Sequence, residues 1–123
     1  MSAEAIAVEW ANIAAVAAAD KKAEDIVAFD VSEVLFITDV FVVCTATNQP
    51  QLSAVVNEVE RQLKDAGAKL ARREGQREGS WVLLDFIDIV VHVQLPEARS
   101  MYDLERLWRD QPQLNLADVT AEE

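Results

Sequence analysis

Residues 79–93, GSWVLLDFIDIVVHV, constrain the fold more than any other stretch of this chain. Two apolar strands, WVLLD and DIVVHV, are separated only by Phe86-Ile87, a break short enough to demand a tight hairpin turn. With Phe86-Ile87 as that turn, Asp85 faces Asp88, Leu84 faces Ile89, Leu83 faces Val90, Val82 faces Val91 and Trp81 faces His92. Successive strand side chains point to opposite faces, so Val82, Leu84, Ile89 and Val91 line one wholly apolar side. That side must be buried, which calls for a sheet with another layer packed on it. The turn is awkward. A two-residue hairpin turn favours Gly or Asn at its second position, and Ile87 is β-branched, so a longer turn or another geometry is the alternative.

Helices for the second layer are legible elsewhere. Leu52, Val55, Val56, Val59 and Leu63 recur at helical spacing and form one apolar stripe. Asn48 is placed to cap that helix, Pro50 falls in its first turn, and Gly67 supplies its stop. Residues 4–19 read as an Ala-rich helix in which Ile6, Trp10, Ile13 and Ala17 fall near a helical period. Pro96 opens a third helix, PEARSMYDLERLWRD, with Met101, Leu104, Leu107 and Trp108 as its apolar face and Glu97 near the positive end of its dipole. DIVAFDV (25–31) and VFVVCTA (40–46) read as strands, the second apolar on both faces as a central strand should be. AKLARRE (68–74) suits an edge strand, because Lys69, Arg72 and Arg73 resist pairing with other chains. EVLFITD has no firm assignment. The order α-β-β-α-β-β-β-α predicts one α/β domain, a mixed sheet of about five strands with helices packed on it, spanning residues 1–110. From Gln111 to Glu123 the periodicity is lost, and an acidic mobile tail is expected.

Charge narrows the function. The chain has 123 residues and a net charge of −11, which repels phosphate backbones and disfavours direct nucleic-acid binding. A basic protein partner would instead be drawn in. The single cysteine, Cys44, lies among Val and Phe and is expected to be a buried apolar group. The N-terminal region has Glu4 and Glu9 where a signal peptide would carry positive charge, and no apolar run is long enough to span a membrane. A cytoplasmic location is expected.

The mixed face of the hairpin carries the polar residues. Asp85 and Asp88 could be simply solvated, could hold a divalent cation, or could form an acidic patch for Lys or Arg of a partner with Trp81 as an aromatic anchor. The metal reading is poorly supported: the acids straddle a turn, Gly79-Ser80 leads into a strand rather than a helix, and no second His accompanies His92. His92 is expected to pack or hydrogen-bond beside Trp81. No catalytic residue and no cofactor are assigned.

The segments DKKAEDIVAFDVS, TDVFVVCTATNQPQ, GSWVLLDFIDIVVHV and PEARSMYDLERLW, in this order and spacing, make the chain resemble the ribosomal silencing factors of the RsfS/Iojap family. The resemblance runs from about residue 5 to residue 109. It implies a fold related to nucleotidyltransferases without their catalytic residues. It also implies a non-enzymatic repressor of translation, which binds protein fourteen of the large ribosomal subunit, blocks joining of the small subunit, and forms a homodimer off the ribosome. On the same ground Trp81, Asp85, Asp88, Tyr102, Asp103 and Glu105 become the partner-binding residues, with Trp108, Thr38 and Asp39 as further family positions. Phe86-Ile87 departs from the Tyr-Gly usual in the family, Thr45-Ala46 from Ser-Gly, and Pro50 from a basic residue. A small nucleotide-handling enzyme built on Asp85, Asp88 and His92 is the alternative, and a dimeric interaction module without a ribosomal role is a third.

Overall fold

A computed structural model describes residues 3–35, 37–75 and 79–116. Its elements follow the expected order: α1 (Ala5–Asp20), β1 (Glu24–Asp30), β2 (Val40–Thr45), α2 (Gln49–Asp65), β3 (Arg72–Glu74), β4 (Trp81–Asp85), β5 (Ile89–Gln94), α3 (Pro96–Tyr102) and a short α4 (Leu104–Leu107). The five strands form one mixed sheet in the order β1-β2-β5-β4-β3. Only β2 and β5 pair in parallel; the other neighbours are antiparallel. Every residue of the central strand β5 is buried, whereas β3, at the edge, is exposed throughout. The arginines of β3 thus sit where a cation best deters strand addition.

Helices α1 and α2 pack on each other and on one face of the sheet. The apolar stripe of α2, from Leu52 to Leu63, is buried there with Val40, Val42, Val82, Leu84, Ile89, Val91 and Val93. Its ends are built as read: the Asn48 side chain accepts from the Gln51 N–H at 2.9 Å, and Gly67 takes φ +96° beyond the last turn. Helix α1 uses a different face from the one its larger residues suggest. Ala7, Ala11, Ala14, Ala15, Ala17 and Ala18 are fully buried, while Trp10 and Ile13 are only partly covered and Ile6 is exposed. Small residues let α1 approach α2 and the sheet closely, so shape complementarity overrides the pull of three larger side chains.

The hairpin register also differs from expectation. Trp81 lies opposite Gln94, Leu83 opposite His92 and Asp85 opposite Val90. The Phe86 N–H donates to the Ile89 carbonyl, which moves the turn to Ile87-Asp88. A shift of two residues leaves every side chain on its expected face but separates Asp85 from Asp88 across the ladder. Phe86 explains the shift. It continues the Val82-Leu84 alternation into the core and is 2% exposed. Burying a Phe side chain contributes roughly 1.5–3 kcal/mol. The opposing term is Ile87, held at φ +74° in a turn closed by the Asp88 N–H on the Phe86 carbonyl. Such a γ-turn is rare and strained, with a cost of order 1–3 kcal/mol. The two terms are comparable, and the Asp85 carboxylate adds a further bond by accepting from the Ile87 N–H at 2.8 Å.

The expected single helix after Pro96 is broken. Asp103 takes a left-handed conformation, φ +40° and ψ +60°, ends α3, and caps α4 through its side chain. Of the face expected to be buried, Leu104 is buried as expected, but Met101 and Leu107 are 75% and 65% exposed. The segment after Gln111 follows the outer edge of β1: Asp30 N–H donates to the Pro112 carbonyl, and Leu114 N–H to the Ala28 carbonyl. Leu116 is buried in the core, so this edge is covered that far; residues 117–123 of the expected tail lie outside the described part.

Candidate docking face

The sheet face opposite α1 and α2 is only partly covered, by α3 and α4. Alternation along β4 puts Trp81, Leu83 and Asp85 on it, each half-buried, and β5 adds Val90, His92 and Gln94. Five rings run across this face. Tyr102 of α3 packs on Trp81 with centroids 4.6 Å apart, Trp81 meets His92 at 5.8 Å, His92 meets Phe41 at 4.8 Å, and Phe41 meets Trp108 edge-on at 5.7 Å. His92, in the middle of the row, is buried; Phe41, Trp108 and Trp81 are half-buried, and Tyr102 is exposed.

His92 is fixed within the row. The Trp81 Nε1–H donates to His92 Nδ1 at 3.1 Å. Because an indole nitrogen only donates, Nδ1 must be unprotonated, and the neutral ring carries its proton on Nε2. Burial, which disfavours a charged imidazolium, pushes the His92 pKa down to about 4. A buried, neutral histidine that orients a tryptophan is a packing residue, as its position beside Trp81 led one to expect. Cys44, fully buried on the core side, is likewise unreactive, its thiol pushed up to about 12 by burial. Among the described residues no three of His, Cys, Asp or Glu are grouped to hold a metal ion.

The expected partner residues fall into three places. Trp81 and Tyr102 are in contact at one end of the face. Asp85 and Asp88 lie at the hairpin end, with Asp85 about 13 Å along β4 from Trp81. Asp39 joins them, since its N–H donates to the Asp88 carbonyl, and its carboxylate accepts the Glu4 N–H. Thr38 beside it is buried. Asp85 is partly engaged, facing Arg72 of β3 at 3.6 Å. The third group is internal. Asp103 accepts from the Arg106 N–H as a helix cap, and Glu105 pairs with the buried Arg99 at 3.1 Å. Arg99 in turn donates to Thr45 Oγ1 and to the Asp25 carbonyl, both at 2.7 Å. This cluster ties α3 and α4 to β1 and β2.

Two apolar residues of this face escaped the sequence reading. Met101 and Leu107, exposed beside Tyr102, line a shallow concavity with Ser100, Asp103, Arg106, Arg109 and Asp110. Their helical spacing suggested burial; only the break at Asp103, unmarked by Gly or Pro, turns them outward.

The fold is a single sheet covered on one side by two helices, with an aromatic and acidic surface on the other. The family described as "Ribosomal silencing factor during starvation" matches residues 4–123. The ribosomal silencing factor RsfS of Bacillus subtilis is 41% identical over 108 residues, covering 88% of this chain and 89% of that one. A mouse protein named for mitochondrial assembly of the ribosomal large subunit is 33% identical over 91 residues, 72% of this chain and 40% of its own length. The crystal structure of a protein from Chromobacterium violaceum superposes with a TM-score of 0.79 at 37% identity, covering 89% of this chain and 90% of that one. The chain belongs to the ribosomal silencing factor family.

Proposed function

We propose that this protein represses translation in the cytoplasm by docking the Trp81–Tyr102 end of its open sheet face on a basic protein of the large ribosomal subunit, protein fourteen, and occupying space the small subunit needs. One observation carries the reading: Trp81 and Tyr102 are packed on each other yet still accessible, with Met101 and Leu107 exposed beside them. Aromatic anchors of this kind dominate binding energy when a partner covers them. Asp85 and Asp88, on or beside the same face, meet Lys or Arg of that partner. Asp103 and Glu105 act by holding α4, and through it the apolar rim, in place. The net charge of −11 favours encounter with a basic partner, and the contact should weaken as salt rises. The same apolar face would be covered in a homodimer when no ribosome is bound.

Pelleting with purified bacterial large subunits tests this. Wild-type protein should co-sediment, and Tyr102→Ala, a half-exposed position with little role in the core, should lose about 30-fold in affinity, the size of a 2 kcal/mol contact. Asp85→Lys with Asp88→Lys, checked first for folding, should also reduce binding. Failure of the wild-type protein to associate would refute the proposal.

A further inference from the structure

The hairpin tip carries a second exposed apolar cluster that the aromatic face does not explain. Ile87 is 55% exposed and Ile37 is 79% exposed. They belong to one end of the sheet: Asp39, two residues beyond Ile37, bonds through its N–H to the carbonyl of Asp88, the neighbour of Ile87. Helix α1 begins at the same end, its Glu4 N–H held by the Asp39 carboxylate. Asp85 accepts from the Ile87 N–H, Asp88 follows Ile87, and Asp39 lies two residues beyond Ile37, so acidic residues neighbour both isoleucines in the chain.

Ile87 is the informative residue. A β-branched side chain at φ +74° is unfavourable, and glycine or asparagine would form this turn with less strain. Its side chain also contributes little to the core, being more than half exposed. Neither turn geometry nor packing within the chain accounts for an isoleucine here. What it does supply is a large apolar knob, rigidly presented between carboxylates. We propose that this tip is a second docking contact, in which Ile87 and Ile37 enter an apolar recess bordered by Lys or Arg on the same basic ribosomal protein. The inference rests on the function proposed above. Charge selects the occupant: a second copy of this chain, with its net charge of −11, would set like charges against one another at a tip flanked by acids. Geometry allows one footprint, because the tip lies only a short strand's length from Trp81, well within an interface burying about 800 Å² per partner.

Ile87→Gly separates stability from binding. The variant should melt higher than wild type, because strain is relieved, yet bind large subunits about tenfold more weakly through loss of a buried side chain. Ile37→Ser, outside the strained turn, should weaken binding in the same direction. Near-wild-type affinity in both variants, with wild-type protein binding, would overturn the second contact and leave the Trp81–Tyr102 surface standing. Loss of self-association in sedimentation velocity without loss of subunit binding would assign the tip to a second copy instead, and overturn it too. If wild-type protein does not bind large subunits, both proposals fail together.

Discussion

Between pH 6.5 and pH 4, His92 should make the fold progressively less stable. In the unfolded chain a histidine titrates near 6.5, whereas burial holds the native ring's pKa at about 4. Between those values the unfolded state binds a proton that the native state does not, so stability falls as pH falls through this window. Above pH 6.5 both states are neutral at this residue and it contributes no pH dependence; below about 4 the loss is complete. At about 1.4 kcal/mol per pH unit, the interval from 6.5 to about 4 amounts to roughly 3 kcal/mol, with about 2 kcal/mol already lost at pH 5. Protonation also has a structural consequence, since Nδ1 accepts the Trp81 Nε1–H and cannot do so once charged. Other groups titrate in the same range, so the assay is a difference: urea unfolding followed by circular dichroism at pH 7, 6 and 5, for wild type and for His92→Asn. Asparagine retains an acceptor near the Nδ1 position and does not titrate. The variant should be less stable at pH 7, having lost the ring contacts to Phe41, but should decline less steeply as acid is added. Parallel stability curves for the two proteins would refute the assignment of His92 as a buried neutral acceptor.

Four further outcomes follow from the packing. Arg99→Met removes the donors to the Thr45 hydroxyl and the Asp25 carbonyl and the pair with the half-exposed Glu105, and should lower stability by about 1–3 kcal/mol, the cost of leaving buried polar groups unpartnered; an unchanged melting temperature would show that α3 and α4 are held otherwise. Gly75→Ala should destabilise by more than 1 kcal/mol in denaturant unfolding, because a Cβ would stand 2.3 Å from the Trp81 carbonyl at φ +107°. Gly67→Ala, with no atom within 4 Å of the added Cβ, should incur only the backbone penalty. Cys44 should resist thiol-specific reagents in the native protein at pH 8 and react only on unfolding, as mass spectrometry would read; rapid native labelling would contradict its burial.

Helix α2 was legible because its information is local: a stripe at helical spacing, an Asn cap and a Gly stop agree with one another, and tertiary packing had nothing to override. The exposed β3 edge was readable from its arginines for a similar reason. Where competing terms were close, the sequence was a poorer guide. The hairpin turn depended on weighing burial of Phe86 against strain at Ile87, two energies of similar size, and pattern alone does not rank them. An Ala-rich helix such as α1 has no strong apolar side, so the neighbours it meets choose its buried face. The break at Asp103 lies next to Arg99, which is tied to Thr45 and the Asp25 carbonyl, long-range contacts that PEARSMYDLERLW does not display. The candidate site was affected accordingly. Trp81 and Tyr102 are in ring contact on the open sheet face, and Asp103 and Glu105 hold bonds within the chain.

Steric exclusion of the small subunit, as proposed above, is read out by the subunit-joining reaction. Separated bacterial subunits are mixed at raised magnesium with increasing amounts of this protein and resolved on a sucrose gradient. Joined ribosomes should decrease in favour of free subunits, with the protein travelling in the large-subunit fraction and Tyr102→Ala largely inactive. Undiminished joining while the large subunit is saturated with the protein would contradict it.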